Sequence, residues 1–234
     1  MKLYMDESGN GNPSQPLILG AVEIDEDFED VDKRVVELYR NLSARRSLMG
    51  LASFEKFREH GFHASTDPVE VSVPFSDLMQ DIHFRAYVYV TDRSSAYAGY
   101  SEKEQLEYMY ETMLGDLLLR FRNLDQLSCV VEENEMLKTF FGDLPTKATR
   151  RAIEKLGRAL KLPQLEITVA AKKQAMSMAI IDYLMLTVSR WIQAKYTTEP
   201  ANRVCRALRE VEPYMSVLYS LEHGVISSRK APLH

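Results

Sequence analysis

Five short segments with the composition of β-strands, separated by longer segments with helical periodicity, most constrain what this chain can fold into. The strand segments are rich in β-branched and aromatic residues and lie at 2–6, 17–24, 84–91, 127–132 and 165–170. Helical periodicity is present at about 28–48, 70–81, 101–122, 146–160, 176–195 and 199–220. Strands joined by a short loop pair antiparallel most easily, whereas strands separated by a helix suit parallel crossovers. We therefore expect a mixed, five-stranded α/β sheet flanked by helices.

Length and composition suit a single domain. The chain has 234 residues, of which 45% are hydrophobic and 27% are charged, so it can bury a substantial core. We expect one domain over residues 1–234, with a helical insertion after the second strand at about 28–81 and C-terminal helices at about 176–220. No membrane-spanning stretch or secretory signal is evident, and Cys129 and Cys205 match no metal-ligand spacing. These features favour a cytoplasmic protein with reduced thiols.

Two acidic residues stand where predicted strands end. Asp6 follows the apolar run of the first strand in "LYMDESG", and Glu132 ends the fourth strand in "SCVVEEN". Each by itself could be a solvated acid in a turn. If these two strands are parallel neighbours, their carboxyl ends bring Asp6 and Glu132 together, and strand alternation turns Glu133 to the opposite side.

Asp182 lies within an apolar helical segment, "MSMAIIDYLMLTV". An ionised carboxylate among such neighbours costs on the order of several kcal/mol unless it is paired, hydrogen-bonded or bound to a metal ion. One explanation is a salt bridge to a basic residue such as Lys172 or Lys173, or a helix N-terminal position. The other is that the helix places Asp182 over Asp6 and Glu132.

Three converging carboxylates repel one another, and divalent cations with oxygen ligands relieve this repulsion. We therefore hypothesise that Asp6, Glu132 and Asp182 hold one or two Mg²⁺ or Mn²⁺ ions, with Glu7 assisting. Carboxylate clusters of this kind serve metal-assisted phosphodiester hydrolysis. Three carboxylates within metal-ligand distance of a common point would favour this nuclease hypothesis. Carboxylates that point apart, or an Asp182 paired with a lysine, would overturn it.

Several segments resemble those of a large bacterial family known as domain of unknown function 3800. The resemblance lies in "YMDESGNGN", "GFHASTDPVEV", "CVVEEN" and "AIIDYLMLTVSRWI", in that order, and extends over most of the chain. It implies a ribonuclease-H-like fold and the activity of a metal-dependent nuclease. The order of the predicted elements, three strands followed by helix, strand, helix, strand and helix, is also that of the ribonuclease-H-like fold.

The resemblance also implies roles for individual residues. Asp6 and Glu7 match the opening acids of the family, and Asp182 matches the acid of its late helix. Glu132 follows the fourth strand, at a position where family members vary. His63, in "GFHAST", falls in a segment that the resemblance includes. It is either a partly buried residue with satisfied hydrogen bonds or a catalytic proton shuttle or phosphate contact.

Basic residues could bind a nucleic acid although the net charge is −5, which argues against a generally basic binding surface. A helical stripe in "TKATRRAIEKLGRALK", with Lys172 and Lys173 elsewhere, offers these cations. The stripe is alternatively a solvated amphipathic face. Its members lie on one helical face at Lys147, Arg151, Lys155 and Arg158.

The first hypothesis is thus a metal-dependent nuclease acting on RNA or DNA. The alternative is a catalytically degenerate ribonuclease-H-like binding or regulatory module, with the family resemblance suggesting a defence or mobile-element system. An aspartyl phosphatase is disfavoured, because "DES" lacks a second Asp two residues after Asp6. Tyr214, Met215 and Tyr219 form either a homodimer contact or part of the core.

Overall fold

The computed structural model describes residues 1–24, 30–93, 99–158 and 161–233. Within these ranges the strands form one sheet flanked by helices. The strands are β1 (Lys2–Ser8), β2 (Leu17–Ile24), β3 (Phe84–Thr91), β4 (Gln126–Glu132), β5 (Gln164–Ala170), β6 (Met215–Ser220) and β7 (Gly224–Ser228). The helices are α1 (Val31–Ser43), α2 (Ala52–His60), α3 (Val69–Gln80), α4 (Glu102–Arg120), α5 (Lys138–Leu156), α6 (Met178–Gln193) and α7 (Arg203–Val211).

The strand order is β5-β4-β1-β2-β3-β6-β7. β1, β2 and β3 pair antiparallel, whereas β4 runs parallel to β1 and β5 runs parallel to β4. β6 adds in parallel to β3, and β7 pairs antiparallel with β6. The mixed α/β sheet flanked by helices is confirmed, and so is the predicted order of elements along the chain, in which three strands are followed by helix, strand, helix, strand and helix. The predicted strand number was wrong, because the described sheet has seven strands rather than five.

The two additional strands correct the predicted helix at 199–220. The helix α7 ends at Val211, because Pro213 lacks the N–H that a continuing helix requires. Beyond it, Tyr214 stacks on Phe84 with ring centroids 4.6 Å apart. Tyr219 lies 5.0 Å from the ring of Tyr89, and Met215 is buried. The aromatic and methionine side chains of this segment therefore pack within the chain.

The remaining helix predictions differ mainly at their ends. The helix α2 was not predicted, and α5 begins eight residues before the predicted residue 146, running through Pro145. Parts of two predicted helices, residues 28–29 and 159–160, lie outside the described residues. None of the described helices is long and apolar enough to cross a membrane.

Strand alternation divides the buried side chains of β1 between the two faces of the sheet. Leu3 and Met5 pack with apolar residues of α4 and α5, whereas Tyr4 packs on the other face with residues of α6. Because successive side chains alternate, Asp6 lies on the α6 side and Glu7 on the α4 side. The face on which each acid acts is thus set by its position in the strand.

The same alternation orients the end of β4. Leu127, Cys129 and Val131 belong to the core under α4 and α5, and Val130 belongs to the core under α6. Glu132 is in phase with Val130, so it points to the α6 side of the sheet.

The helix α6 approaches the sheet closely at Gly20 of β2, which pairs with Asp6 of β1. A Cβ atom built on Gly20 would lie only 2.3 Å from Cγ1 of Ile181. Glycine at this position therefore allows the backbone of β2 to lie against α6. Because Ile181 precedes Asp182, the contact also sets the height of Asp182 above the sheet.

We predict that Gly20→Ala lowers the free energy of unfolding by about 1–3 kcal/mol, because it overpacks the contact with Ile181. Urea denaturation measures this change. The matched control is Gly142→Ala in α5, where a Cβ atom meets nothing within 4 Å. That substitution should be neutral or stabilise by about 0.5–1 kcal/mol, because alanine is the better helix former. Equal stability of Gly20→Ala and the wild type would contradict the role of this contact.

Candidate active site

Asp6 and Glu132 come together because β1 and β4 are parallel neighbours. Met5 of β1 pairs with Val131 of β4, so the residues that follow them leave the sheet side by side. Asp6 is 2% exposed, and its Oδ1 accepts a hydrogen bond of 2.8 Å from the backbone N–H of Glu7. The Glu132 side chain is 29% exposed and lies at the mouth of the site.

Asp182 reaches the same place from above the sheet. It lies in the second turn of α6 and is 8% exposed. Its Oδ2 accepts a hydrogen bond of 3.0 Å from the backbone N–H of Ala64, in the loop between α2 and α3. Buried carboxylates require such donors, and the helical insertion between β2 and β3 supplies this one from its loop.

A single ammonium group joins the three carboxylates. Lys172 begins a 3₁₀ turn, Lys172–Gln174, just beyond the end of β5. Its Nζ lies 3.1 Å from Oδ2 of Asp6, 3.0 Å from Oδ2 of Asp182 and 3.5 Å from Oε2 of Glu132. The Lys172 side chain is only 10% exposed. Four elements therefore contribute one charged group each to a common point.

The environment of this cluster raises the pKa of Asp6. Burial raises the pKa of Asp6 well above its ordinary value; Lys172 opposes this rise, and Glu132 and Asp182 add to it. Burial alone lowers the pKa of Lys172, but Asp6, Asp182 and Glu132 raise it by more, so the ammonium stays charged. One positive charge against three carboxylates leaves the ionised cluster with surplus negative charge, which a proton on Asp6 reduces.

The cluster has the donor chemistry of a Mg²⁺ or Mn²⁺ site, since hard divalent cations prefer carboxylate oxygens. Yet among the described residues no three His, Cys, Asp or Glu side chains form a ready metal site. The reason lies in the distances: the oxygens surround Lys172 Nζ at 3.0–3.5 Å, whereas Mg²⁺ requires about 2.0–2.1 Å. The chemistry of the donor set suits such a metal ion, and the Lys172 ammonium lies at the point on which the three carboxylates converge.

Glu7 lies near the cluster but on the opposite face of the sheet. Its carboxylate accepts hydrogen bonds from Tyr110 of α4, at 2.7 Å, and from Asn134. Burial and the neighbouring Asp6 raise the pKa of Glu7, and these donors oppose the rise. The Glu7 carboxylate is therefore bonded to Tyr110 and Asn134 and lies outside the group of carboxylates that contact Lys172.

His63 lies at the rim of the cluster. Its Nδ1 is 3.8 Å from Oδ2 of Asp182 and 3.2 Å from Oγ of Ser65, and its side chain is 47% exposed. Asp67 accepts a hydrogen bond from the backbone N–H of His63, not from the ring, and another from Tyr183. Asp67 therefore fixes the loop, and the His63 ring is left open to the cavity.

The predicted basic stripe lies on α5, which packs on the face of the sheet opposite α6. Lys147 pairs with Glu111 at 3.5 Å, and Lys155 pairs with Asp116 at 2.6 Å. The guanidinium of Arg151 donates to the hydroxyl of Tyr108. These three contacts tie the stripe to α4.

The other predicted cations are more scattered. Arg158 follows α5 and is exposed. Lys173 donates to the backbone carbonyls of Arg58 and Glu59, each at 3.2 Å, so it closes the C-terminal end of α2. Lys172, as described, belongs to the carboxylate cluster.

A cavity of about 430 Å³ opens over the cluster, and its lining includes Glu7, His63, Glu132, Lys172 and Asp182. The lining continues along α6, which the sequence hypothesis did not anticipate. Its further residues on α6 are Leu186, Ser189, Arg190 and Gln193. They lie 4, 7, 8 and 11 positions after Asp182 and so share its side of the helix. Polar residues at this spacing in an otherwise apolar helix could have indicated this part of the cavity from the sequence.

Arg190 is the cation of this second part of the cavity. It is exposed and makes no ion pair with any residue in the described ranges. This distinguishes it from Lys147 and Lys155 of α5, whose charges are already paired.

No protein-family model matches the chain, and no curated protein matches it. Solved structures do show similarity. A chain of the PCNA:RNase HII complex from Archaeoglobus fulgidus aligns at 13% identity with a TM-score of 0.46, covering 90% of this chain and 88% of that one. The ribonuclease H2 from Pyrococcus horikoshii OT3 aligns at 13% identity with a TM-score of 0.41, covering 91% and 86%. A mutant protein of Bst-RNase HIII aligns at 13% identity with a TM-score of 0.43, covering 90% and 61%.

We predict that Asp6→Asn raises the free energy of unfolding at pH values above the acidic range. The pKa of Asp6 is raised in the folded protein, so its stabilising contribution is present below the ordinary carboxyl pKa and is lost as pH rises through the raised value. Asparagine does not titrate, so the variant does not lose stability in this way as the pH rises. The variant should therefore be more stable than the wild type by about 1 kcal/mol or more at pH 8, and the difference should shrink towards pH 4.

Urea denaturation from pH 4 to pH 8, with a chelator present, measures this difference. The control is Asp125→Asn, whose carboxylate is 94% exposed and should show no comparable pH-dependent gain. An Asp6→Asn protein that is equally stable or less stable than the wild type at pH 8 would contradict the raised pKa of the buried Asp6 carboxyl.

Proposed function

We propose that this protein is a metal-dependent nuclease that hydrolyses phosphodiester bonds in RNA or DNA. The observation that carries the proposal is the convergence of Asp6, Glu132 and Asp182 on one point beside an open cavity. A cluster of buried like charges destabilises a fold, so its presence at a cavity is typical of a functional site.

Asp6, Glu132 and Asp182 would hold one or two Mg²⁺ or Mn²⁺ ions. When bound, such ions activate a water molecule and stabilise the leaving oxygen of a phosphodiester. Within the chain, the backbone N–H of Ala64 orients Asp182, and that of Glu7 orients Asp6. Glu7 follows Asp6 in β1 and would assist the site, with its carboxylate held by hydrogen bonds from Tyr110 and Asn134.

The remaining cavity residues would handle the substrate. The His63 ring, open to the cavity beside Asp182, can contact a phosphate or move a proton. Arg190 can pair with a phosphate farther along the bound nucleic acid, since its charge is not already paired with a described residue.

The contact of Lys172 with Asp182 favours a second candidate function. A lysine paired with Asp182 was the expected sign of a non-catalytic protein, and the structure contains such a pair at 3.0 Å. In the alternative, Lys172 locks the cluster permanently and the protein is a ribonuclease-H-like binding or regulatory module. We favour the nuclease because Lys172 contacts all three carboxylates, which keeps them convergent instead of withdrawing Asp182 from the others.

Membership in the family known as domain of unknown function 3800 is part of the same proposal. Its support is the sequence "DESG" at residues 6–9 and the late helix that carries Asp182. A bacterial source would follow from that membership. The cytoplasmic location and the homodimer remain predictions.

We predict that Asp182→Asn lowers the rate of nucleic-acid hydrolysis by about 100-fold or more, because it removes a charged ligand from the cluster. The measurement uses single- and double-stranded RNA and DNA and an RNA–DNA hybrid, each with Mg²⁺ or Mn²⁺. The matched control is Glu133→Gln, next to Glu132 in the chain but lining a different cavity with Lys138 and Gln174. Its rate should equal that of the wild type. Equal rates in Asp182→Asn and the wild type, or no hydrolysis of any substrate, would contradict the nuclease assignment.

We predict that Arg190→Gln weakens binding of a labelled single strand of about 20 nucleotides several-fold. It should also reduce the slope of log affinity against log salt by about 1, because one phosphate contact is lost. Fluorescence anisotropy in EDTA measures binding without hydrolysis. Lys155→Gln tests the α5 stripe in the same assay and should have a smaller effect, since Lys155 is paired with Asp116. A larger loss of affinity in Lys155→Gln than in Arg190→Gln would indicate that the nucleic acid binds at α5 instead.

A further inference from the structure

Lys172 and a divalent cation would compete for the same atoms. The lysine Nζ lies within 3.5 Å of one oxygen from each of the three carboxylates and sits at the point they surround. A metal ion bound by the same oxygens at about 2.0–2.2 Å leaves no room for the ammonium among them. One of the two cations must therefore leave when the other binds.

The position of Lys172 in the chain suits a movable group. It follows the last residue of β5 by two positions and lies in a 3₁₀ turn, so its side chain is not held by a regular helix or strand. The backbone of this turn is fixed separately, through the hydrogen bond from Gln174 N to the carbonyl oxygen of Ala171. The side chain can thus change its contacts while the turn stays in place.

The cavity offers a place for the displaced charge to act. Lys172 lines the cavity together with His63 and Arg190. An ammonium that leaves the carboxylates stays tethered at this cavity, where a phosphate group is its natural counter-ion. A bound polyanion would then favour the displaced state of Lys172 and, with it, metal binding.

We propose that Lys172 is a positioning residue that acts as an exchangeable counter-ion, holding the three carboxylates together until a divalent cation displaces it towards the phosphates of the substrate. The inference rests on the proposed metal-dependent function. It adds to that function a specific device that sets metal affinity and couples metal binding to the polyanion.

The test measures Mn²⁺ binding to the full-length chain by isothermal titration calorimetry, without nucleic acid. Lys172→Met removes the competing ammonium and should bind Mn²⁺ about tenfold tighter or more, within the usual range of coupling between two ligands. Lys173→Met is the matched control, because the Lys173 ammonium donates to backbone carbonyls of α2 and lies outside the carboxylate cluster, and it should bind as the wild type does. Equal or weaker Mn²⁺ binding by Lys172→Met would overturn the proposal.

A measurement on the wild type covers the case in which Lys172→Met does not fold. Acetylation of lysines by a small reagent, followed by peptide mass spectrometry, reports whether each amine is accessible. Saturating Mn²⁺ should increase the acetylation rate of Lys172 several-fold relative to Lys173, because the ammonium leaves its ion pairs. An unchanged or lower rate at Lys172 would overturn the proposal.

These results are distinguishable from failure of the nuclease assignment, which rests on hydrolysis by the wild type and its loss in Asp182→Asn. A protein that hydrolyses nucleic acid but binds Mn²⁺ equally with and without Lys172 keeps the proposed function and loses the exchangeable counter-ion. A protein that binds Mn²⁺ tighter without Lys172 but hydrolyses no nucleic acid keeps the counter-ion and loses the nuclease.

Discussion

Charge compensation among three carboxylates is the interaction on which the rest of the site depends. Asp6, Glu132 and Asp182 come from β1, the end of β4 and α6, and they share the ammonium of Lys172. Without a cation, burying these three carboxylates costs on the order of several kcal/mol per uncompensated charge. The fold tolerates the cluster because Lys172 and the backbone N–H of Ala64 satisfy it. The same arrangement leaves the carboxylates convergent and therefore able to bind another cation.

The two faces of the sheet use their charges differently. On the face of α4 and α5, ion pairs such as Lys155–Asp116 join the two helices, which makes the basic stripe a structural feature of that face. On the face of α6, the cavity contains Arg190, unpaired with any described residue, and the rim residue His63. Among the described residues, a cation without an ion-pair partner therefore lies on the side of the molecule where the carboxylates lie.

Much of the site could be predicted from local sequence patterns. Parallel neighbouring strands and their alternation place Asp6 beside Glu132, and an acid in an apolar helix identified Asp182 as a residue with a buried partner. The same alternation would have placed Glu7 on the opposite face, where the structure has it bonded to Tyr110. Lys172 was considered as a partner of Asp182 or as a nucleic-acid-binding cation, because nothing in the sequence shows that one side chain contacts three acids.

The fold was predictable to a similar extent. The mixed sheet follows from chain-adjacent pairing and helical crossovers, and it was predicted. The order of the strands within the sheet was not predicted, apart from the condition that β1 and β4 are neighbours. The strand β6 was mistaken for helix because its apolar residues also fit a helical period, and the choice is made by Pro213 and by pairing with β3. Such pairing is a tertiary contact, so local periodicity does not reveal it.

The central claim is that the Asp6, Glu132 and Asp182 carboxylates form a cation site that Lys172 and a metal ion occupy in turn. Anomalous diffraction from crystals soaked in Mn²⁺ tests it most directly. The account predicts an anomalous peak bonded to oxygens of these three carboxylates, with the Lys172 ammonium moved out of the cluster. Crystals that show Lys172 still bonded to all three carboxylates at saturating Mn²⁺, with no metal between them, would contradict it.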